Sequence, residues 1–240
     1  VAAAKHPQLR LLYLRGAARG GSGIYTAEHI ERLDADKFCR GQWELCTPET
    51  AREFSAAAYF FGRKLHSVLD VPIGLICLAI GGTPIEAWIR RDAMAAHPQL
   101  KQRVRGNWLT NANLETWCRD RAAYNLRRAL QAKEEIPGDD LGPNHSFKPG
   151  FMWESGIAPL IPFAIRGAIW YQGESNAQSL EQVALHEKLF PLLIRDWRTQ
   201  WQQGEFPFIF VQLPGLSRPH WPVFRDSQRR LKNELPNVGM

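Results

Sequence analysis

The chain has 240 residues, 45% of them hydrophobic and 11% aromatic, enough to bury one core of single-domain size and to exclude disorder as the main state. No apolar run approaches the roughly 20 residues that a membrane-spanning helix needs. The formal charge of +6 comes from 30 Lys+Arg against 24 Asp+Glu, but pairs such as Arg90-Arg91, Arg127-Arg128 and Arg229-Arg230 are scattered over predicted helix surfaces, which argues against a nucleic-acid partner.

The chain opens VAAAKHPQLRLLYLRG and closes LPNVGM, with no charged leader, initiator Met, closing helix or polar tail, and so reads as a fragment of a longer polypeptide. Residues 8-QLRLLYL-14 predict a strand, and Gly16, Gly20, Gly21 and Gly23 after it a loop. Cys39 and Cys46 are spaced for a short-loop disulfide if the compartment is oxidising. Thr47 and Pro48 start a predicted helix whose stripe runs Ala51, Phe54, Ala58, Phe61, Leu65 and Leu69.

The next run, 71-VPIGLICLAIGG-82, is apolar without alternation, as a strand covered on both faces in a parallel sheet would be; Cys77 inside it reads as a core thiol. Residues 92–150 break the rhythm with one predicted helix, about 113–135, and a polar loop; they read as an insertion over the strand ends of a single domain. Strands follow at 164-AIRGAIWYQGE-174 and 206-FPFIFVQL-213, separated by a helix over 181–203 that Pro191 is expected to kink or break. Strands alternating with helices indicate βαβ units, an α/β fold with a parallel sheet.

In such a sheet ligands bind beyond the carboxyl ends of the strands. Three segments converge there: 81-GGTPIEAW-88, 172-QGESNA-177 and 212-QLPG-215. Gly81-Gly82 allows close backbone approach and turns N–H groups toward an oxyanion, although a glycine pair also serves simply to turn a chain. Gln172, Glu174, Ser175 and Asn176 end a buried strand, where each must meet a partner or a substrate. Gly173-Glu174-Ser175-Asn176-Ala177 also imitates a nucleophile elbow, with Ser175 as nucleophile, but no Asp-then-His pair follows in convincing context. None of the seven histidines forms a His-x-x-x-His or His-Glu-x-x-His pattern and no Cys-x-x-Cys occurs, so no metal site is expected; each histidine reads as a surface or loop residue. Asn144-His145-Ser146 matches a glycosylation sequon.

The segments VPIGLICLAIGGTPIEAWIRR, GIAPLIPFAIRGAIWYQGESNA, PFIFVQLPG and WPVFRDSQRRL, in that order, resemble the sialate O-acetylesterases, a branch of the SGNH-type carbohydrate esterases. TPETAREFSAAAYFFGRKL and AAAKHPQLRLLYL agree more weakly, so the resemblance spans the chain except 92–150. It implies a three-layer α/β/α flavodoxin-like sheet and hydrolysis of acetyl esters on carbohydrates without metal or cofactor, in a periplasmic or secreted setting. The family's nucleophile is the serine of a Gly-Gln-Ser-Asn motif, activated by the histidine of an Asp-x-x-His motif, because a hydroxyl attacks poorly until an oriented imidazole takes its proton.

Neither motif occurs in the 240 residues. The expectation is therefore the middle of such an esterase, its sheet incomplete, inactive alone, with nucleophile and base outside the chain. By resemblance, Gly82 or Gly81 supplies one oxyanion N–H and Gln172 or Asn176 the second donor; Glu174 is a buried organiser of its turn. Gly81, Thr83, Glu86 and Ser175 are expected to line the substrate. The rival reading is a glycan-binding module without catalysis, with Trp88, Trp153, Trp170 or Tyr171 stacking on a sugar ring.

Overall fold

The structure, a computed structural model, describes residues 4–240. In chain order its elements are β1 (His6–Gly16), α1 (Ala27–Glu31), α2 (Ala35–Phe38), β2 (Cys39–Arg40), β3 (Trp43–Cys46), α3 (Pro48–Glu53), α4 (Ala56–Leu69) and β4 (Ile73–Leu78). There follow α5 (Arg91–Ala96), α6 (Thr116–Ala132), the small hairpin β5 (Gly138–Asp139) and β6 (Gly142–Pro143), β7 (Ala168–Trp170), α7 (Leu180–Trp201), β8 (Phe208–Phe210), α8 (Trp221–Leu231) and β9 (Val238–Gly239).

The strands form a mixed rather than a single parallel sheet. β1 pairs in parallel with β4, Leu9 opposite Ile73 through Leu14 opposite Leu78. Its other edge carries β2 and β3 antiparallel, because the chain returns from β2 to β3 alongside β1 without the long crossover that parallel pairing requires. A second sheet, β7-β8-β9, is wholly parallel. The return also separates the two cysteines: Cys39 lies opposite Gly16 and Cys46 opposite His6, roughly 30 Å apart along β1, far beyond disulfide reach, and both are free thiols.

β4 is covered on both faces, as its unbroken apolar run predicts. Leu75 and Cys77 pack with Leu9, Leu11, Phe54 and Tyr59, while Ile76 and Leu78 lean on the larger core. Thr47 does cap α3, its hydroxyl accepting from Thr50 N at 3.3 Å, but the expected continuous helix breaks at Phe54, which is extended. Ser55 caps α4 afresh, and the break rephases the stripe: Tyr59 and Gly62 are buried in place of Ala58 and Phe61, and Leu69 is exposed.

α7 runs unbroken through Pro191. Losing one helical hydrogen bond there costs about 3 kcal/mol, which is outweighed by burying Leu189, Phe190, Leu193, Ile194, Trp197 and Trp201, each worth about 1.5–3 kcal/mol. Among the described residues no helix is long and apolar enough to cross a membrane.

Candidate active site

The turn after β4 leaves Gly81 and Gly82 exposed, and Gly82 sits at φ +84°, a left-handed conformation that disfavours any side chain. A Cβ there would also meet the Phe147 ring at 3.3 Å. Among the described residues the N–H groups of both glycines donate to no protein acceptor. Immediately afterwards the chain turns inward. Thr83 is buried, donating through its hydroxyl to Ile80 O at 2.9 Å and accepting from Trp88 Nε1 at 2.9 Å, and residues 85–88 form a wholly buried helical turn.

The turn after β7 is shaped by Gly173 at φ +145°, where a Cβ would stand 2.5 Å from the Phe224 ring. The short turn Glu174–Asn176 then swings Ser175 and Asn176 inward and Glu174 outward. The two turns meet. Ser175 Oγ donates to Gly82 O at 2.9 Å, and Gln172 Nε2 donates to Thr83 O at 3.2 Å and to Asn176 Oδ1 at 2.8 Å. Asn176, 2% exposed, also accepts from Ile85 N at 3.0 Å and donates to Glu86 Oε2 at 3.1 Å. Glu86 in turn accepts from Arg103 Nη2 at 2.8 Å.

The convergence of the two strand ends is thus as the sequence predicts, but several side chains take other places. Glu174 is exposed, not a buried organiser, because the turn points its first residue out and the next two, Ser175 and Asn176, in; the buried carboxylate is Glu86. Thr83 and Glu86 lie at 4% and 2% exposure, locked into internal bonds, and so do not line a substrate surface. Trp88, Trp153 and Trp170 are buried in the core, which leaves Tyr171, at 52% exposure, as the one of the four aromatics open to a sugar.

Both protons of the Gln172 amide are spent on Thr83 and Asn176, while its Oε1 is buried without a partner among the described residues. Gln212, in the third converging segment, binds Arg225 O at 2.9 Å and braces α8 rather than joining this network.

Sequence reasoning sets 92–150 over the strand ends but names none of its residues for the site. Arg103 and Phe147 reach the turn after β4 from that segment, with Glu115 behind Arg103, and nothing local marks them: a guanidinium in a polar stretch reads as surface until the fold sets it beside Glu86. Pro84, Glu86, Arg103, Trp108, Cys118 and Phe147 line a cavity of about 10 Å³, roughly one water in size.

Two histidines are buried, against expectation. His145 sits in a cage, its Nδ1 accepting from Phe147 N at 3.0 Å and its Nε2 within 3.1 Å of both Tyr25 OH and Asn125 Oδ1. His186 lies between the Phe190 and Phe224 rings, with centroids at 5.5 and 4.6 Å, and neither ring nitrogen has a partner. Burial pushes both imidazoles down to about 3. Neither bonds Ser175, so the elbow reading lacks its base. Asn144 of the sequon is buried as well, donating to Leu33 O at 3.0 Å and accepting from Lys148 Nζ at 2.8 Å, which closes it to glycosylation.

Chemically the site offers backbone donors at a glycine turn, stiffened by a polar network, and no nucleophile and base in contact among the described residues. The family described as "Carbohydrate esterase, sialic acid-specific acetylesterase" matches residues 154–240. Curated sialate O-acetylesterases of Homo sapiens and Rattus norvegicus are each 32% identical, over 205 and 207 residues, covering 80% and 78% of this chain but 32% and 35% of the relatives. The chain therefore spans about a third of the length of the curated relatives it matches. The crystal structure of a novel carbohydrate acetylesterase from Xanthomonas citri superposes with a TM-score of 0.63 at 25% identity, over 99% of this chain and 43% of that one.

Proposed function

The chain belongs to the sialate O-acetylesterase family of carbohydrate esterases, and from that premise we propose that it forms the oxyanion cradle of a carbohydrate O-acetylesterase. The observation that carries this reading is Gly82: exposed, at φ +84°, its N–H unspent, its carbonyl held by Ser175 and the next carbonyl by Gln172. A donor fixed in advance at the developing alkoxide is worth about 10²–10³ in turnover, because it needs no reorganisation when the charge forms.

In the proposed reaction a serine hydroxyl attacks the acetyl carbonyl of an O-acetylated sugar and gives its proton to a histidine. The tetrahedral oxygen lies against Gly82 N–H, the sugar hydroxyl leaves with the proton that the histidine returns, and water, giving a proton to the same histidine, then attacks the acetyl-serine so that acetate leaves and the serine oxygen regains its proton. That serine and histidine come from polypeptide outside these 240 residues. Supporting this, neither family motif occurs in the chain, Ser175 is turned onto a carbonyl, and Gln172 Oε1 lacks a donor that an added segment would supply. The three-layer flavodoxin-like arrangement belongs to the same proposal, with the serine strand central in the sheet and 92–150 as an insertion flanking the cradle.

The test is release of acetate from O-acetylated sugars, with p-nitrophenyl acetate as a second substrate. The 240-residue chain alone is expected to be inactive, and a polypeptide that also carries Gly-Gln-Ser-Asn and Asp-x-x-His is expected to be active. Turnover by the 240 residues alone that Ser175→Ala abolishes would falsify the proposal in favour of the elbow. Glycan binding by the longer polypeptide without hydrolysis would instead favour the module, with Tyr171 as its exposed aromatic.

A further inference from the structure

We propose that Arg103, in the 92–150 segment, is a positioning residue for the cradle, acting through Glu86 and Asn176 on Gln172. The inference rests on the reading above for its catalytic consequence, but its structural content stands by itself.

Every link is a short bond, and Arg103, Glu86 and Asn176 are buried while Gln172 is half-buried. Arg103 Nη2 donates to Glu86 Oε1 at 2.8 Å, Asn176 Nδ2 donates to Glu86 Oε2 at 3.1 Å, and Gln172 Nε2 donates to Asn176 Oδ1 at 2.8 Å. A carboxylate has two oxygens, and here one holds the guanidinium while the other fixes which way the Asn176 amide faces. With its nitrogen drawn to Glu86, Asn176 must present its oxygen to Gln172 and to Ile85 N, 3.0 Å away. Gln172 is thereby oriented nitrogen-first toward Asn176 and Thr83.

If Glu86 lost its countercharge it would be a bare buried carboxylate, which is unstable enough that the side chain would move, protonate or admit water. Each of those responses changes the acceptor that Asn176 faces. Glu115 stands 3.5 Å from the same guanidinium nitrogen and itself accepts from Gln182 Nε2 at 2.5 Å, so the start of α7 is tied into the chain of bonds. The segment that diverges most from the α/β rhythm thus sets the geometry of the turn after β7.

The experiment uses the ¹⁵N-labelled 240-residue chain and follows the side-chain amide signals of Asn176 and Gln172, with the Trp197 indole, bonded to Trp88 O at 3.0 Å, as a fold control. Arg103→Met is expected to move both amide signals while the indole stays, and Arg103→Lys, which keeps the charge, to return them toward their original positions. Unmoved amide signals in folded Arg103→Met overturn the proposal. If that variant fails to fold, the double variant Glu86→Gln/Arg103→Met is compared with Glu86→Gln alone: a further displacement of the two amide signals in the double variant supports the proposal, and identical signals in the two overturn it.

In a catalytically complete polypeptide, Arg103→Met is expected to lower kcat about 10²-fold at unchanged KM, as a small displacement of reacting groups does. Arg103→Lys should recover part of that loss, and a fall in KM affinity alone would count against a positioning role. A wild-type polypeptide with no esterase activity would sink the functional reading and leave the amide result standing.

Discussion

Gln172 and His186 each bury polar atoms that find no partner among the described residues, Oε1 in the first and both ring nitrogens in the second. The two surroundings could hardly differ more. Gln172 stands among paired polar groups beside an exposed glycine turn. His186, 2% exposed, is packed between aromatic rings on α7 and α8. Each orphan costs about 1–3 kcal/mol in isolation. Around Gln172 a single incoming donor completes an oriented network, so the cost is recovered on assembly or binding; around His186 no group among the described residues bonds either nitrogen to recover it. An unpaired buried atom points to function only where its neighbours are polar and already fixed.

The largest effect that can break this contrast is expected at Gln172. In a catalytically complete polypeptide, Gln172→Ala should lower kcat about 10²-fold while the melting temperature changes little, since the Thr83 carbonyl beside Gly82 loses its clamp while Asn176 keeps Ile85 N and Glu86. Unfolding with specific activity intact would reduce the Gln172 network to scaffolding. Next comes Gly173→Ala, which imposes a side chain at φ +145° and drives a methyl to 2.5 Å from the Phe224 ring. A loss of roughly 3 kcal/mol is expected by denaturant unfolding. Near-neutral stability would show that the turn relaxes freely and that its inward swing of Asn176 is not set by glycine.

Much of this geometry was legible beforehand, for identifiable reasons. Apolar runs ending in Gly81-Gly82 and Gln172-Gly173 announce strands that stop in turns, and those turns meet through Ser175 and Gln172 although β4 and β7 belong to different sheets. The capping chemistry of Thr47 and Pro48 is local and held. What stayed hidden depends on partners distant in sequence. Resemblance places Glu86 at the substrate, and it takes Arg103, 17 residues on, and Asn176, 90 residues on, to make its burial tolerable. Glu174 and Asn176 are two residues apart in a non-repeating turn, so no periodicity tells which faces inward. The break at Phe54 likewise has no glycine or proline to mark it, and shifting the helix phase there exchanges the buried stripe.

Acid provides a smaller and separable effect, on the His186 side of the contrast. Both His145 and His186 are depressed to about 3 by burial, against about 6.5 in an unfolded chain. Below about 6.5 the unfolded state takes up protons that the folded state refuses, so folding stability rises with pH across this window. It is fully present above 6.5 and is lost progressively as pH falls toward 3. Each histidine contributes a slope of up to about 1.4 kcal/mol per pH unit once the unfolded imidazole is largely protonated. Unfolding curves at pH 6.5 and 5, above the carboxylate range, measure it. A flat profile over that interval would mean that both rings gain protons in the folded protein, and a halved slope that one of them does.

His186→Phe is the finest discriminator. It keeps an aromatic ring against Phe190 and Phe224 and removes two unsatisfied nitrogens, so stability at pH 7 should increase by about 1 kcal/mol and the acid slope should fall by half. His145→Phe should halve the slope equally but lower stability at pH 7, because it strips Phe147 N, Tyr25 OH and Asn125 Oδ1 of a common partner. The two variants are therefore expected to share a pH dependence and to differ in the sign of their effect at neutrality. If His186→Phe instead destabilised the fold while the slope still halved, the His186 nitrogens would have to be serving a bond in solution, and the orphan in the aromatic core would belong to the same class as the one at Gln172.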